Sequence, residues 1–324
     1  MRVALGRLGG AVFRGYSSPG IFGLLGAVAG LALLVLALST DRFLTVDNLK
    51  AILSSASIVG IMALGLTFVT LIGSLVSLAV GATAVMGAMI FVAELKLGLV
   101  PALGIAVVSA ALVTALQGAI IGGWQANPVI LTIGAAFLIN GATDKASGGV
   151  VHPTGGGYAT LNSTPLGIPL GVFVMVALAL LLQYVLRRTV FGRQVMLIGE
   201  NRLAARAAGI RVTRVTLLAF AIAGAAFALG GAFLGAFNQS ASSQLEGTVT
   251  FDAIAAVLVG GTLITGGRGS ALRTLAGAIV IAAISDVLLL RGFETGAETL
   301  FKGALVVAVV VGNHLASGGR ESNP

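Results

Sequence analysis

The sequence contains no cysteine, and only 9% of its 324 residues are charged. Without cysteine there is no disulfide, no thiolate nucleophile and no cysteine-ligated metal. Histidine is almost as scarce, since the chain has only His152 and His314. Two isolated imidazoles cannot supply the three or four ligands of a histidine-based metal centre. We therefore expect no metal site in this protein.

Motifs that carry enzyme chemistry are absent as well. The sequence has no Gly-x-x-x-x-Gly-Lys-Ser/Thr phosphate loop, no His-Glu-x-x-His pair and no Gly-x-Ser-x-Gly turn. The chain is therefore predicted to have no catalytic residues and no ATPase site of its own. We also expect it to bind no cofactor.

Hydrophobic residues fill most of the sequence. They make up 57% of the chain, and the mean hydropathy is +1.06. Soluble domains carry about 25% charged residues, far more than this chain. The 47 glycines would allow membrane helices to approach closely. Composition therefore predicts an all-α polytopic membrane protein, in which the net charge of +8 reflects topology and not nucleic-acid binding.

Uncharged runs divide the chain into about ten transmembrane helices, at about 20 residues for each crossing. The predicted spans lie at 20–39, 51–72, 76–95, 99–121, 128–144, 165–186, 215–237, 271–290 and 303–316, with a short broken or re-entrant helix near 253–267. Glycine turns, such as Gly73-Ser74, separate neighbouring spans. The predicted domains are an N-terminal tail (1–19), a transmembrane permease domain (20–316) and a C-terminal tail (317–324).

Lysine and arginine set the predicted orientation. With the N-terminus inside the cell, thirteen of the 19 Lys and Arg residues lie on the inner side. This distribution satisfies the positive-inside rule, and the inverted topology would violate it. Both termini and the loop 187–214 are therefore predicted to be cytoplasmic, and the loop 145–165 periplasmic.

The loop 187–214 is the one long segment that is dense in charge. It holds seven arginines and a single acid, Glu200. Asn201 can serve as an N-cap and Gly209 as the residue that ends a helix, which predicts a two-turn helix over 202–208. A short capped helix in a cytoplasmic loop suggests a docking surface. A solvated, positively charged loop explains the charge equally well.

Three segments of this sequence resemble a known family, the permease subunits of ribose-type ABC importers, which also includes branched-chain amino acid permeases. The first is Gly199-Glu200-Asn201 with Ala204-Ala205 and Gly209, similar to the family's cytoplasmic loop. The second runs from Phe251 through Gly260-Gly261 to Gly266-Gly267-Arg268-Gly269. The third is the segment 128–134, and the resemblance extends over about residues 20–315.

The resemblance implies a multi-pass permease subunit in the inner membrane that forms the translocation path for a small sugar, a pentose or a hexose. It implies a second permease subunit, identical or related. It also implies cytoplasmic ATP-binding subunits that carry ATP and Mg²⁺, and an extracytoplasmic sugar-binding protein. A branched-chain amino acid importer permease is the main alternative, and a stand-alone secondary transporter is a weaker one. No nucleic acid is expected as a partner.

The resemblance and the polar residues near the spans define three sets of candidate site residues. The ATPase-docking set is Gly199, Glu200, Asn201, Arg202, Ala204, Ala205, Arg206 and Gly209. The structural signature is Asp252, Gly260, Gly261, Gly266, Gly267 and Gly269. The candidate substrate path is Ser77, Gln117, Asn127, Thr132, Asn140 and Asn238, because polar side chains in spans tend to face an interior.

Two charge-related expectations accompany these sets. Asp252 is expected at the start of a short helix, where backbone N–H groups stabilise an acid. The remaining charged residues are expected at span ends, so that no fixed charge in the interior could pair with an amino acid substrate. The family usually has an aspartate where this chain has Ser77, which leaves the fold prediction intact but separates this chain from the usual substrate pattern.

Overall fold

The computed structural model describes residues 40, 43–74, 76–153, 158–243 and 246–318. The predicted N-terminal tail, the predicted first span at 20–39 and most of the predicted C-terminal tail lie outside these residues. The helices are α1 (Val46–Leu71), α2 (Val80–Glu94), α3 (Leu99–Trp124), α4 (Pro128–Ser147), α5 (Tyr158–Leu161), α6 (Leu170–Arg188), α7 (Val190–Glu200), α8 (Arg202–Ala207), α9 (Val212–Asn238), α10 (Glu246–Val259), α11 (Ala271–Leu290) and α12 (Thr295–Gly318). Two short 3₁₀ turns occupy Leu95–Leu97 and Pro165–Gly167.

Seven helices in the described part of the chain are long and apolar enough to cross a membrane, namely α1, α2 with the turn that follows it, α3, α4, α6, α9 and α11. They confirm an all-α polytopic membrane protein. Each of them overlaps a predicted span. The total of about ten spans and the side on which the termini lie remain predictions.

The predicted short helix near 253–267 is displaced in the structure. Helix α10 begins at Glu246 and ends at Val259, and residues 260–270 form a turn. Gly261, Gly266 and Gly267 have φ angles of +74°, +90° and +75°. Non-glycine residues rarely adopt such angles, so the helix cannot continue through this segment.

Helix α9 lies at the centre of the bundle and packs against α1, α2 and α3. Glycines on these helices allow the close approach. Gly65 of α1 lies against Ala223 and Ala226, and Gly231 of α9 lies against the backbone of Ala84 on α2. Small residues at helix contacts are how membrane helices gain packing energy without a hydrophobic driving force.

A two-stranded antiparallel sheet joins two of the connections. Its strands are β1 (Val150–Val151) and β2 (Ala241–Ser242), and Val150 pairs with Ser242. The sheet ties the predicted periplasmic loop to the segment that follows α9. No pattern in the sequence predicts this sheet.

Candidate docking surface and translocation path

The basic loop folds into two helices. The sequence predicts α8, but it does not predict α7, which precedes it. The hydroxyl oxygen of Thr189 accepts a hydrogen bond from the N–H of Gly192 at 3.1 Å and caps α7. Val195 and Ile198 are buried, whereas Arg193 is exposed. A threonine cap followed by apolar residues at helical spacing is the signal that could have identified α7.

Helix α8 has the two caps that the sequence predicts. The side-chain oxygen of Asn201 accepts a hydrogen bond from the N–H of Ala204 at 2.9 Å. At the other end, Gly209 has φ +80° and its N–H donates to the carbonyl of Arg206. Because backbone groups at both ends of α8 find hydrogen-bond partners within the loop, a helix of only six residues can hold its shape.

One face of α8 is buried and the other is open. Ala205 is 4% exposed, whereas Leu203 is 76% exposed. Ala204 and Ala207 are also exposed. We call the exposed face formed by Leu203, Ala204 and Ala207 the α8 face. It presents one large apolar side chain, Leu203, and two small ones at the end of the bundle.

Arg202 connects α8 to the end of α3. Its Nη2 donates to the carbonyls of Ile121 at 2.9 Å and Gly122 at 3.3 Å. Carbonyls in the last turn of a helix lack intrahelical partners and carry partial negative charge, so a guanidinium is favourable there. Burial lowers the pKa of Arg202, and the positive charge of Arg206 lowers this pKa further. Arg202, a member of the predicted docking set, therefore anchors α8 to the end of α3.

The C-terminal end of α7 packs against two glycine turns that are distant in sequence. Gly199 lies against the carbonyl of Leu71 and the backbone of Gly267. The N–H of Gly267 donates to that same carbonyl at 2.9 Å, and Gly266 lies against Gly73. A Cβ on Gly199 would overlap backbone atoms of both partners. The predicted docking set and the predicted structural signature thus meet at one junction, which we call the glycine junction.

The rest of the structural signature lies behind the glycine junction. Gly260 packs against the backbone of Arg273 and Thr274, and Gly269 packs against the side chain of Thr262. Gln183 of α6, which no sequence motif indicates, accepts hydrogen bonds at 3.0 Å from Ser270 Oγ and from the N–H of Ala271. It thereby caps α11 and connects α6 to the end of the turn formed by residues 260–270.

The expected position of Asp252 is wrong. Helix α10 starts at Glu246, so Asp252 lies in the middle of a helix and not at its N-terminus. Its carboxylate forms an ion pair at 2.6 Å with Lys302 Nζ on α12, and Lys302 forms a second pair at 2.6 Å with Glu298. The side chains of Lys302 and Asp252 are only 9% and 15% exposed. Lys302 and its two acidic partners thus form a buried cluster of charges between α10 and α12.

Two of the predicted path residues come together in the structure. Thr132 is fully buried, and its Oγ1 accepts a hydrogen bond from the N–H of Leu78 at 3.2 Å. Ser77 is 2% exposed, one residue away from Leu78.

Gln117 is 5% exposed, and its amide has no hydrogen-bond partner among the described residues. An unpaired buried amide is costly, which marks Gln117 as a candidate contact for a polar ligand or for water.

The other predicted path residues do not join this group. Asn127 is exposed and caps α4 by accepting from the N–H of Val129 at 3.0 Å. Asn238 is exposed at the far end of α9, where it donates to the carbonyl of Leu234. Asn140 is half-buried on α4. The six residues therefore do not form a single binding site.

The described residues form a bundle of membrane-spanning helices with a capped, exposed helix at one end, and this architecture fits a transport permease. The chain belongs to the family described as the permease component of the branched-chain amino acid transport system, which matches residues 48–310. This match confirms the predicted resemblance. The chain is a multi-pass inner-membrane permease subunit of an ABC importer.

Named relatives cover nearly the whole chain. The ribose import permease protein of Bacillus subtilis is 32% identical over 300 residues, which is 90% of this chain and 93% of the relative. The autoinducer 2 import system permease protein of Yersinia enterocolitica is 31% identical over 296 residues, with 86% and 87% covered. The corresponding Yersinia pestis protein is 29% identical over 308 residues, with 90% of each chain covered. No solved structure matches this chain.

Proposed function

We propose that this chain forms the translocation path of an ATP-driven, binding-protein-dependent importer for a small neutral sugar, a pentose or a hexose. The observation that carries the proposal is the geometry of the basic loop. A permease whose sequence has no nucleotide-binding motif needs a rigid element on which a motor subunit can act. Helix α8 offers one, since it is capped at both ends and anchored to α3 through Arg202.

The α8 face is the proposed docking surface for the cytoplasmic ATP-binding subunit. Exposed apolar side chains surrounded by charge mark protein interaction sites on otherwise polar surfaces. Leu203 would enter a pocket on the ATP-binding subunit. The glycine junction would pass a displacement of α7 to α1 and to the turn that precedes α11, because the backbones are in direct contact there.

A second permease subunit would cover the outer side of α3 and α4. In the apolar 18-residue stretches of α3 and α4, only 22% and 11% of the residues are buried, compared with 83% in that of α1. Large apolar side chains such as Leu116, Phe137 and Leu138 are 64–76% exposed. Part of this surface faces lipid. The proposed assembly is a homodimer or a heterodimer with a related subunit.

A neutral sugar is favoured over a branched-chain amino acid for two reasons. The relatives described above are named for the import of ribose and of autoinducer 2, and not of amino acids. In addition, Lys302, the charged residue that is buried in the described part of the bundle, is committed to the two acids with which it pairs, Asp252 and Glu298. The hydroxyl and amide groups of Ser77, Gln117 and Thr132 can exchange hydrogen bonds with sugar hydroxyls.

We expect sugar uptake, and no leucine uptake, in vesicles that carry this subunit, its ATP-binding subunit and its binding protein. Radiolabelled D-ribose, D-xylose, D-glucose and L-leucine are supplied from the binding-protein side, with and without ATP. ATP-dependent accumulation of one of the sugars supports the proposal. Accumulation of leucine that none of the sugars inhibits would establish the amino acid alternative instead.

A further inference from the structure

Between α1, α6 and α9 the structure contains a cavity of about 290 Å³. Six of its lining residues have polar or aromatic side chains, namely Ser54, Ser57, Asn162, Thr164, Phe233 and Phe237. We propose that this cavity, which we call the acceptor cavity, binds a neutral monosaccharide on the side from which the binding protein delivers it. The inference rests on the proposed function, because it assumes that a sugar is the substrate.

The acceptor cavity lies at the end of the bundle opposite the α8 face. Ser54 and Ser57 lie in the first half of α1, and the other end of that helix, Leu71, reaches the glycine junction. Phe233 and Phe237 lie in the last turns of α9, which begins just after α8. Helix α6 likewise starts beside the cavity and ends where α7 begins. With the predicted orientation, the cavity opens to the periplasm.

The polar groups of the cavity match those of a sugar. Ser57 is 2% exposed and its hydroxyl donates to the carbonyl of Ser54 at 2.7 Å, which leaves its lone pairs to accept a hydrogen bond. Asn162 Nδ2 donates to the carbonyl of Ala236 at 2.7 Å, and this fixes the amide with its oxygen available as an acceptor. Thr164 is exposed and adds a hydroxyl at the mouth.

Two aromatic rings supply the apolar side of the site. Phe233 is 5% exposed and belongs to the floor, whereas Phe237 is 55% exposed at the mouth. A sugar ring presents polar edges and an apolar C–H face, so a site with hydroxyls on one wall and phenyl rings on another suits it. Ligand sites commonly combine an aromatic lining with a few placed polar groups.

Size and charge narrow the class of ligand. Sites for small molecules span roughly 300–1,000 Å³, so this cavity lies at the lower limit and suits a monosaccharide. No ionisable side chain lines it among the described residues. A free amino acid would lose water around its ammonium and carboxylate without gaining a charged partner. A second cavity, between α2 and α4, includes Glu94 and His152 and lacks this neutral character.

Two matched variants test the acceptor cavity by transport. Ser54→Phe places a ring inside the cavity, whereas Ser55→Phe places the same ring on the exposed side of α1. In vesicles with the partner subunits, we expect Ser54→Phe to lower ATP-driven sugar uptake by about tenfold or more, because a filled site cannot accept the ligand. Ser55→Phe should transport at close to the wild-type rate. Wild-type uptake by Ser54→Phe would overturn the proposal.

A binding measurement keeps the test independent of transport and of any folding defect in Ser54→Phe. The chain has a single tryptophan, Trp124, at the opposite end of the bundle. In a Trp124→Phe background, Phe237→Trp places the only indole at the cavity mouth. We expect D-ribose, D-xylose or D-glucose to change its fluorescence in a saturable way, and L-leucine to leave it unchanged.

The outcomes separate the two claims. If the wild type imports a sugar but no sugar changes the fluorescence of Phe237→Trp, the acceptor cavity is refuted and the importer function stands. If the wild type imports none of the three sugars, the proposed substrate class fails and the cavity proposal fails with it. Saturable fluorescence changes together with blocked uptake in Ser54→Phe support both.

Discussion

Ala205→Pro should abolish ATP-driven uptake while the protein remains inserted in the membrane. The N–H of Ala205 donates to the carbonyl of Asn201 at 3.0 Å, which is the first backbone hydrogen bond of α8. Proline removes this donor and clashes with the preceding turn, at a cost of about 3 kcal/mol or more. A two-turn helix gains too little from its own hydrogen bonds to offset that cost. The α8 face should therefore lose its shape.

Two measurements check this expectation. Copurification of the ATP-binding subunit with the variant measures docking, and vesicle uptake measures transport. Ala205→Ser keeps the donor and the small volume, so it should behave like the wild type in both. If Ala205→Pro imports sugar at the wild-type rate, α8 is a solvated connector and the docking proposal is wrong.

Lys302→Met should destabilise the folded bundle by about 3–5 kcal/mol, because it leaves the buried charge of Asp252 without its partner. Glu298 would lose the same partner, since its carboxylate also pairs with Lys302 at 2.6 Å. The contact between α10 and α12 should therefore loosen. The free energy of unfolding in detergent, followed by circular dichroism in a denaturant titration, measures the effect.

The double variant Asp252→Asn with Lys302→Met is the informative control. It removes both members of the more buried pair and leaves only Glu298, whose side chain is 25% exposed, without a partner. Replacing a buried pair by neutral groups is often close to neutral in stability. We expect it to regain most of the lost free energy. Lys96→Met, at an exposed position, should have little effect. Equal stability of Lys302→Met and the wild type would show that the ion pair does not hold α10 to α12.

Local signals in the sequence predicted the parts of the structure that local interactions determine. Helix α8 was predicted because both of its caps, Asn201 and Gly209, lie within the loop itself. The turn at Gly73 was predicted because a glycine there interrupts two apolar runs, and it has φ +73°. Helix α7 was missed because the arginines that flank it led to the whole segment being interpreted as a connecting loop, although its apolar residues recur at helical spacing.

Contacts between distant segments could not be predicted in this way. Asp252 and Lys302 pair across two helices, and no local pattern indicates either the pairing or the early start of α10. The glycine junction depends on how α1, α7 and the turn after α10 pack together. Among the predicted path residues, sequence indicated that Gln117 and Thr132 are buried, but it could not show which of the six residues approach one another in the fold.

The acceptor cavity illustrates the same limit. Its residues come from α1, the segment before α6 and the end of α9, and none of them belongs to a recognisable motif. Only the packing of these elements brings Ser57, Asn162 and Phe233 together. The docking helix is thus encoded locally, whereas the proposed ligand site is a product of the tertiary fold.

The orientation of the bundle underlies both proposals, since it places the α8 face in the cytoplasm and the acceptor cavity outside. Cysteine labelling tests it directly, because the native chain has no cysteine. Leu203→Cys lies on the α8 face and Ser163→Cys lies beside the cavity, both at exposed positions. In intact spheroplasts, a membrane-impermeant maleimide should label Ser163→Cys at once and Leu203→Cys only after permeabilisation. Labelling of Leu203→Cys in sealed spheroplasts would contradict the account.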